Sequence, residues 1–270
     1  MRGLLAFAAC LVASVQIAEA LVYKLGDEEP HTIDRNLVIS QGSEKSVDEY
    51  PFMVSIQEIN MTEGLMGNGC GASIIDERWL LTAAHCLPPN KSEHEHYISG
   101  SRALVGSSTY PRLEQDAQLI ELESLHGLVT PDIGLIKLRH PIKFGKRVQK
   151  ILLKRNLKVK NGTAIHIMGW GYGAPLNAKG DHQLHGYVAN FLYKCNAWIC
   201  FRHELSAVCP GDSGGPMAVH VPQLDAYVQH SLVHGVGPGK CGSVGQFTSG
   251  PELANYCDWI DKTVGKKICI

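Results

Sequence analysis

The sequence has 270 residues, a formal net charge of −1 and no long run of charge at either end. We expect no nucleic-acid partner, and no stretch beyond the first 20 residues is apolar for the roughly 18 residues that a membrane anchor requires. The 28 glycines and 13 prolines favour many turns, and the length fits one large all-β unit or two small domains.

The N-terminus has the features of a secretory signal peptide. Arg2 precedes an apolar run over residues 4–15, and Ala18-Glu19-Ala20 is a small-x-small cleavage site. We therefore predict a signal peptide over residues 1–20, followed by a polar, acidic pro-segment over residues 21–38. The mature protein is expected to be secreted, extracellular and soluble, with no membrane partner.

Secretion places the cysteines in an oxidising compartment. Of the nine cysteines, Cys10 leaves with the signal peptide, and the even number that remains fits four disulfides whose pairing is open. These are Cys70, Cys86, Cys195, Cys200, Cys209, Cys241, Cys257 and Cys269. No C-x-x-C pair exists, and we expect no metal and no cofactor. His94-Glu95-His96 offers metal ligands, but an exposed polar loop is the favoured interpretation there.

The predicted strands begin with Phe52–Gln57, where apolar and polar residues alternate. Gly71–Ile75 and Trp79–Thr82 form a predicted hairpin. Further strand-like runs follow at residues 132–138, 164–168, 187–192, 216–221 and 227–233. Only residues 253–264 show the spacing of a helix face. No strand alternates with a long helix, which excludes a parallel α/β fold, and short strands at regular spacing indicate a sandwich or barrels.

A glycine-rich turn over residues 210–216, PGDSGGP, carries the Ser213 hydroxyl at its tip. Glycine lets such a turn adopt strained dihedrals, and its N–H groups can converge on a developing negative charge. A serine nucleophile also needs a base and a group that orients the base. The candidates are His85 in LTAAHC and Asp132 in TPDIGLIKL. A Cys70–Cys86 disulfide would clamp His85 to the neighbouring strand and stabilise the fold by about 3 kcal/mol on the loop-entropy model.

The motifs LTAAHC, DIGLIKL and GDSGGP, in the order His, Asp, Ser, resemble those of the chymotrypsin/trypsin-like serine endopeptidases. MGWGYG, the ISQG and YPFMVSI segments and the closing NYCDWI extend the resemblance over residues 39–270. The stretches IIDERWLLTAAHC and DIGLIKLRHPIKF are most similar to mite trypsin-like proteases of the group 3 allergen type. The resemblance implies an all-β fold of two six-stranded antiparallel β-barrels with a cleft between them and a C-terminal helix.

The resemblance also implies roles for the site residues. Ser213 would be the nucleophile, His85 the general acid/base and Asp132 the group that orients His85. The N–H groups of Gly211 and Ser213 would form the oxyanion hole. The family's other common disulfides correspond to Cys195–Cys200 and Cys209–Cys241, whereas Cys257 and Cys269 lie outside the common pattern and their pairing is open.

Activation departs from the family pattern. The family's new N-terminal isoleucine, which pairs with Asp212, falls on Ile39 and is followed by Ser40-Gln41-Gly42 instead of Val-Gly-Gly. Val38 precedes the bond, where trypsin-type activation requires Arg or Lys, and the nearest basic residue is Arg35. A cut after Arg35 would leave Asp212 without its ammonium partner, whereas a different processing enzyme would cut after Val38.

The substrate-binding segments depart as well. Ala207 stands where trypsins carry Asp at the pocket floor, so no charge holds Lys or Arg and apolar side chains are the expected substrates. The family's Ser-Trp-Gly strand becomes Val233-His234-Gly235 in the register that strand geometry favours, and Asp132 then loses a hydroxyl partner. In the other register Val233 replaces the wall glycine and obstructs the pocket. The expected pocket residues are Ala207, Val233, His234, Gly235 and Gly245.

Residues 133–180 contain eleven Lys or Arg and no Asp or Glu. This stretch is either a solvated linker between two subdomains or, over residues 137–160, an exosite for an anionic partner such as a glycosaminoglycan or an acidic protein surface.

Two functions follow from the sequence. The first is a secreted serine endopeptidase, made as a zymogen, with a non-tryptic, apolar preference. The second is a protease-fold binding protein with little turnover, similar to the inactivated protease paralogues of scabies-type mites, which interfere with host defence proteins such as complement. The complete Ser-His-Asp set favours the first function. The altered binding strand, the missing activation signal and the basic stretch favour the second.

Overall fold

The computed structural model describes residues 42–59, 66–171, 182–195, 198–203, 206–237 and 245–270. All of them lie in one compact unit that spans residues 36–270. The predicted signal peptide, the pro-segment and Ile39 lie outside the described residues. The described chain is predominantly β-structure, with two α-helices.

A closed six-stranded barrel forms the first half. The strands of this half, in chain order, are β1 (Ser43–Glu44), β2 (Met53–Ile59), β3 (Met66–Asp76), β4 (Trp79–Thr82), β5 (Ser101–Val105), β6 (Thr109–Tyr110), β7 (Gln118–Leu128) and β8 (Ile133–Leu138), of which all except β1 and β6 belong to the barrel. The barrel runs in the order β2-β3-β4-β8-β7-β5 and closes because β5 pairs antiparallel with β2. Its interior is a cluster of buried aliphatic side chains, among them Val54, Ile74, Leu80 and Ile136, and their removal from water drives the closure.

The second half is also built from antiparallel strands. They are β9 (Ile165–Gly169), β10 (His182–Gln183), β11 (His185–Ala189), β12 (Phe191–Cys195), β13 (Trp198–Arg202), β14 (Pro216–Val221), β15 (Ala226–Leu232), β16 (Gly235–Val236) and β17 (Phe247–Gly250). A five-stranded sheet runs β1-β11-β9-β14-β15 and a four-stranded sheet runs β12-β13-β17-β16. Strands β6 and β10 pair separately. The predicted all-β fold is confirmed, with one closed barrel and a second β-rich half.

The two helices differ in how well the sequence predicts them. The C-terminal helix α2 (Cys257–Val264) follows a 3₁₀ turn at Leu253–Tyr256 and ends at Gly265, whose φ of +80° suits glycine. Helix α1 (Lys91–Gly100) was not predicted, and His94-Glu95-His96 therefore lies in a helix and not in a loop. Helix α1 buries no residue, so it lacks the apolar stripe that predicts a helix. No helix among the described residues is long and apolar enough to cross a membrane.

The disulfides match the predicted pairs where both partners are described. Three of them join described residues: Cys70–Cys86, Cys195–Cys200 and Cys257–Cys269. The last of these answers the question that the sequence left open. Cys209 is also disulfide-bonded, and its predicted partner Cys241 lies outside the described residues.

Candidate active site

His85 is held on Asp132 at two points. It lies in a 3₁₀ turn, Ala84–Cys86, that follows β4 and is tied to β3 by the Cys70–Cys86 disulfide. The backbone N–H of His85 donates to Asp132 Oδ1 over 2.8 Å, and its ring Nδ1 donates to Asp132 Oδ2 over 2.8 Å. The carboxylate therefore fixes both the backbone and the ring of His85, and the ring nitrogen that it does not engage is Nε2.

Asp132 is a buried carboxylate that hydrogen bonds keep ionised. It directly precedes β8, is 4% exposed and has a φ of +70°, a left-handed conformation that is uncommon outside glycine. Burial raises the pKa of Asp132, but hydrogen bonds from His234 and His85 outweigh burial and lower the pKa to about 2. Asp132 is consequently an anion at any physiological pH.

His234 is the unexpected partner of Asp132. Its ring Nδ1 donates to Asp132 Oδ2, the same oxygen that His85 contacts, over 2.5 Å. The ring stacks on Trp198, with centroids 4.2 Å apart and planes 8° from parallel. Val233 buries its side chain in the core and offers no hydroxyl, so His234 supplies the hydrogen bond that the sequence predicted to be lost. The sequence gives one sign of this contact: His234, whose ring carries an N–H donor, occupies the position of the family's tryptophan.

The loop that carries Ser213 is hydrogen-bonded to the first barrel and to the segment that follows β15. Gly71 N–H donates to Ser213 O over 2.8 Å, and Gly214 N–H donates to Val233 O over 2.8 Å. Gly214 has a φ of +78°, and a Cβ there would lie 2.1 Å from Thr82 Oγ1. Glycine is therefore required for the loop to reach the barrel. The strands β3 and β4 hold both this loop and the turn of His85.

Two N–H groups of this loop stay available. Asp212 N–H donates to Cys209 O, whereas the N–H groups of Gly211 and Ser213 have no acceptor among the described residues. The carbonyl of Gly211, which has a φ of +97°, accepts a hydrogen bond from Asn68 Nδ2 over 2.9 Å. Within the described ranges no hydrogen bond joins Ser213 Oγ to His85. The arrangement offers two backbone donors beside a half-exposed hydroxyl.

Asp212 is fully buried, and two backbone groups contact it. Its Oδ1 accepts a hydrogen bond from Gly171 N–H over 2.8 Å, and its Oδ2 accepts one from Cys209 N–H over 2.8 Å. A Cβ at Gly169 would lie 2.1 Å from this carboxylate, which explains a glycine of MGWGYG. Burial raises the pKa of Asp212 to about 6 despite these two hydrogen bonds. The pairing with Ile39 stays a prediction because Ile39 lies outside the described residues.

The residues predicted to form the specificity pocket lie in different settings. Ala207 is fully buried, and Val233 has its side chain in the core. Gly235 lies in β16, and the ring of His234 is engaged with Asp132. Gly245 has a φ of +79°, and Arg202 Nη2 lies 3.0 Å from where its Cβ would be. A guanidinium group therefore borders this part of the predicted pocket.

A cavity of about 830 Å³ opens beside His85, Asp132 and His234. Its walls include Trp198 and Trp259, together with apolar residues of the segment before α1 and of β7. The cavity gives solutes access to the two histidine rings, which are 41% and 37% exposed, although Asp132 itself is buried.

Acidic side chains from elsewhere partly neutralise the basic stretch over residues 137–160. The ion pairs are Lys137–Glu123, Arg139–Glu121, Lys146–Asp48, Arg147–Asp48, Arg147–Glu114, Arg155–Asp258 and Arg155–Asp261. Lys150, Lys158 and Lys160 are exposed and form no ion pair with the described residues. These three lysines, together with Lys143 and Lys154, are therefore the charges of the stretch that remain available to a partner.

Comparison with known proteins identifies similar chains. Residues 39–260 match the family described as Trypsin. The chain is 30% identical over 251 residues to the venom peptide isomerase heavy chain of Agelenopsis aperta, covering 83% of this chain and 98% of that protein. It is 26% identical over 259 residues to phenoloxidase-activating factor 3 of Holotrichia diomphalia, covering 83% and 71%. It is 25% identical over 246 residues to trypsin 5G1 of Aedes aegypti, covering 83% and 84%.

Proposed function

The chain belongs to the trypsin family, and we propose that it is a secreted serine endopeptidase that cleaves peptide bonds through an acyl-enzyme intermediate. The observation that carries this proposal is the two-point contact between His85 and Asp132, in a turn held by the same strands that hold the Ser213 loop. Family membership makes the protein a hydrolase with protein substrates, and the residue roles below are part of the proposal.

Ser213 Oγ attacks the substrate carbonyl while His85 Nε2 accepts the hydroxyl proton. Asp132 keeps the other ring proton on Nδ1, so that Nε2 is the basic nitrogen, and it stabilises the imidazolium that forms. The N–H groups of Gly211 and Ser213 receive the negative charge of the tetrahedral intermediate, and one such donor is worth about 10²–10³ in rate. His85 then protonates the leaving amine.

The proposed specificity is non-tryptic, with an apolar side chain before the scissile bond. Two features support it: the buried, uncharged Ala207 and the guanidinium of Arg202 beside Gly245, which would repel a substrate Lys or Arg. A set of peptides that differ only in this residue tests it. We expect Phe or Leu to be cleaved faster than Arg, and faster cleavage after Arg would contradict the proposal.

The proposed processing begins with removal of the signal peptide over residues 1–20, which leaves the pro-segment over residues 21–38 in place. The domain over residues 39–270 would then be activated by a cut after Val38, so that the ammonium of Ile39 reaches Asp212. The motifs that resemble mite group 3 allergen proteases support a secreted zymogen of that type. N-terminal sequencing of the secreted protein tests the cut, and a mature chain that begins at residue 36 would contradict it.

The decisive experiment is active-site labelling. We expect a fluorophosphonate probe to label the mature protein stoichiometrically at Ser213, as located by peptide mapping. The Ser213→Ala variant is the matched control and should not be labelled. The absence of labelling on protein that begins at Ile39 would overturn the endopeptidase proposal.

The second candidate is a protease-fold homologue with little or no turnover that binds host defence proteins such as complement. The observation that favours it is the sharing of one Asp132 oxygen by His85 and His234, together with the lack of a described hydrogen bond from Ser213 to His85. Unlabelled protein that inhibits complement lysis equally well with and without Ser213→Ala would support this candidate. Stoichiometric labelling of Ser213 excludes it.

The anionic-partner proposal for residues 137–160 rests on the lysines that form no ion pair with described residues. We expect retention on heparin that falls when Lys150, Lys158 and Lys160 are replaced by Gln. Replacement of Lys137, which is paired with Glu123, is the control and should have a smaller effect. Retention that does not respond to the three replacements would reject the exosite.

A further inference from the structure

Three potential ligand atoms converge at the candidate active site. His85, His234 and Asp132 each offer one ligand atom, and the three atoms lie within 4.8 Å of one another. The histidine nitrogens that contact the carboxylate are the two Nδ1 atoms. Both nitrogens now donate to Asp132 Oδ2, over 2.8 Å and 2.5 Å. The second group of this kind among the described residues, Cys70, His85 and Cys86, contains a disulfide, so its sulfurs are not free to bind metal.

The chemistry of this set suits a transition-metal ion. Two imidazole nitrogens and one carboxylate oxygen are a known ligand set for zinc, with a fourth position left for water. The cavity of about 830 Å³ is lined by all three residues, so an ion and its water can reach them. The cavity is also lined by His94 and His126, which are not part of the three-residue cluster.

The side chains need only a small movement to bind an ion. Tetrahedral zinc with bonds of 2.0–2.1 Å holds its ligand atoms about 3.3 Å apart, so each histidine nitrogen must withdraw from Asp132 by less than about 1 Å. Asp132 Oδ1 stays anchored by the backbone N–H of His85. The ring of His234 lies parallel to Trp198, and sliding along that face preserves the stacking contact.

We propose that His85, Asp132 and His234 form a binding site for a divalent transition-metal ion, with zinc as the ion that fits best. The ion replaces the two hydrogen bonds to Asp132. Coordination through Nδ1 leaves each neutral ring with its proton on Nε2, which the proton reaches through solvent without a net change in proton number. His85 Nε2 then donates a proton instead of accepting one, so the bound ion switches off the base that Ser213 would need.

This site follows from the three side chains and does not depend on the proposed function. The test therefore uses the mature chain with Ser213→Ala, so that hydrolysis plays no part. We expect calorimetry to give one saturable zinc equivalent, and cobalt(II) to give the visible spectrum of a tetrahedral nitrogen–oxygen site. His234→Phe keeps a ring on Trp198 but removes the ligand. It should weaken zinc binding by more than the roughly 10–100-fold that second-shell partners contribute.

Two further variants complete the test. His234→Asn covers the case in which the phenylalanine variant does not fold, and it should also weaken binding strongly. His94→Ala, in the same cavity, is the matched control and should retain the zinc equivalent. The proposal is overturned if zinc does not bind, if both His234 variants bind it as the parent does, or if His94→Ala loses it.

A separate measurement connects the site to the chemistry. If the wild-type protein reacts with the fluorophosphonate probe, zinc should block the labelling and a chelator should restore it. If the wild-type protein does not react, the proposed function fails, while the calorimetric and cobalt readouts still decide the metal site. Labelling that proceeds unchanged at saturating zinc would refute the inhibitory role.

Discussion

The charge of Asp212 should destabilise the chain as long as no ammonium group reaches it. Asp212 is fully buried, and its pKa is raised from 3.8 to about 6 by burial, against hydrogen bonds from two backbone N–H groups. An acid whose folded pKa is raised holds its proton longer in the folded state than in the unfolded state. The contribution of Asp212 to stability is therefore greatest at pH values below 3.8, falls as the pH rises to about 6, and is constant above that.

The size of the effect follows from the shift. A rise of roughly two units in the pKa of Asp212 corresponds to a loss of about 3 kcal/mol in the free energy of unfolding at pH 8. In the uncleaved chain, Asp212→Asn removes this term. The amide nitrogen, however, cannot accept the hydrogen bond from Gly171 or Cys209, which costs about 1 kcal/mol at every pH. We expect the variant to be about 2 kcal/mol more stable than the wild type at pH 8 and, because pH 4 already lies just above the unfolded pKa of 3.8, only about 0.5 kcal/mol less stable at pH 4.

The assay is thermal and urea unfolding of the uncleaved chain between pH 4 and pH 8. For a domain of this size, the change of about 2.5 kcal/mol between pH 4 and pH 8 corresponds to a change of roughly 5–10 °C in the difference between the two melting temperatures. Asp225→Asn is the control, because Asp225 is fully exposed and its replacement should leave the curves parallel. A difference between wild type and Asp212→Asn that does not vary with pH would refute the reasoning.

Cleavage should invert the sign of the Asp212 effect. Once the ammonium of Ile39 reaches the carboxylate, removal of one partner leaves a buried charge and typically costs about 3–5 kcal/mol. In the cleaved chain, Asp212→Asn should therefore be destabilised at pH 8, where the uncleaved variant is stabilised. The same sign in both chains would contradict the proposed pairing.

Three further predictions concern stability. In Gly214→Ala the new Cβ meets a hydroxyl and a carbonyl at close range, and the φ of +78° is unfavourable for alanine, so the free energy of unfolding in urea should fall by more than about 4 kcal/mol. Gly162 has a similar φ of +89° but open space around it, so Gly162→Ala should lower the free energy of unfolding by only about 1–2 kcal/mol. His230 is 2% exposed, neither ring nitrogen has a partner in the described structure, and burial lowers its pKa. Its unfolded ring takes up a proton first, so stability should fall as the pH drops below about 6.5, and His230→Leu should flatten this slope; an unchanged slope would contradict the assignment. Replacing Cys257 and Cys269 by Ala opens a link across 12 residues and should lower the unfolding free energy by about 3 kcal/mol, and equal midpoints would argue against that disulfide.

The sequence predicts those parts of the site whose geometry is local. Ser213 lies among glycines that a tight loop requires, and Gly214 indeed has no room for a Cβ. His85 directly precedes a cysteine that is bonded to β3. In both places short-range chain geometry determines where the side chain goes, and a pattern of a few residues is therefore informative.

The part that the sequence could not predict depends on contacts between distant segments. His234 and Asp132 are 102 residues apart, and their hydrogen bond depends on how the segment after β15 turns its side chains. The sequence correctly indicated a lost hydroxyl partner but gave no information on what would replace it. Helix α1 was missed for a different reason: only the adjacent residues Tyr97 and Ile98 pack, partly buried, against the barrel core, and two adjacent apolar residues do not make the periodic stripe that predicts a helix.

The Cys70–Cys86 disulfide lies between the Ser213 loop and the turn of His85. Gly71, the neighbour of Cys70, holds the Ser213 loop, and Cys86 directly follows His85. Before this pair is oxidised, no covalent bond other than the backbone joins β3 to the turn of His85 within the described residues. Reduction of a single bond would therefore loosen the link between the Ser213 loop and His85, the two parts of the proposed active site.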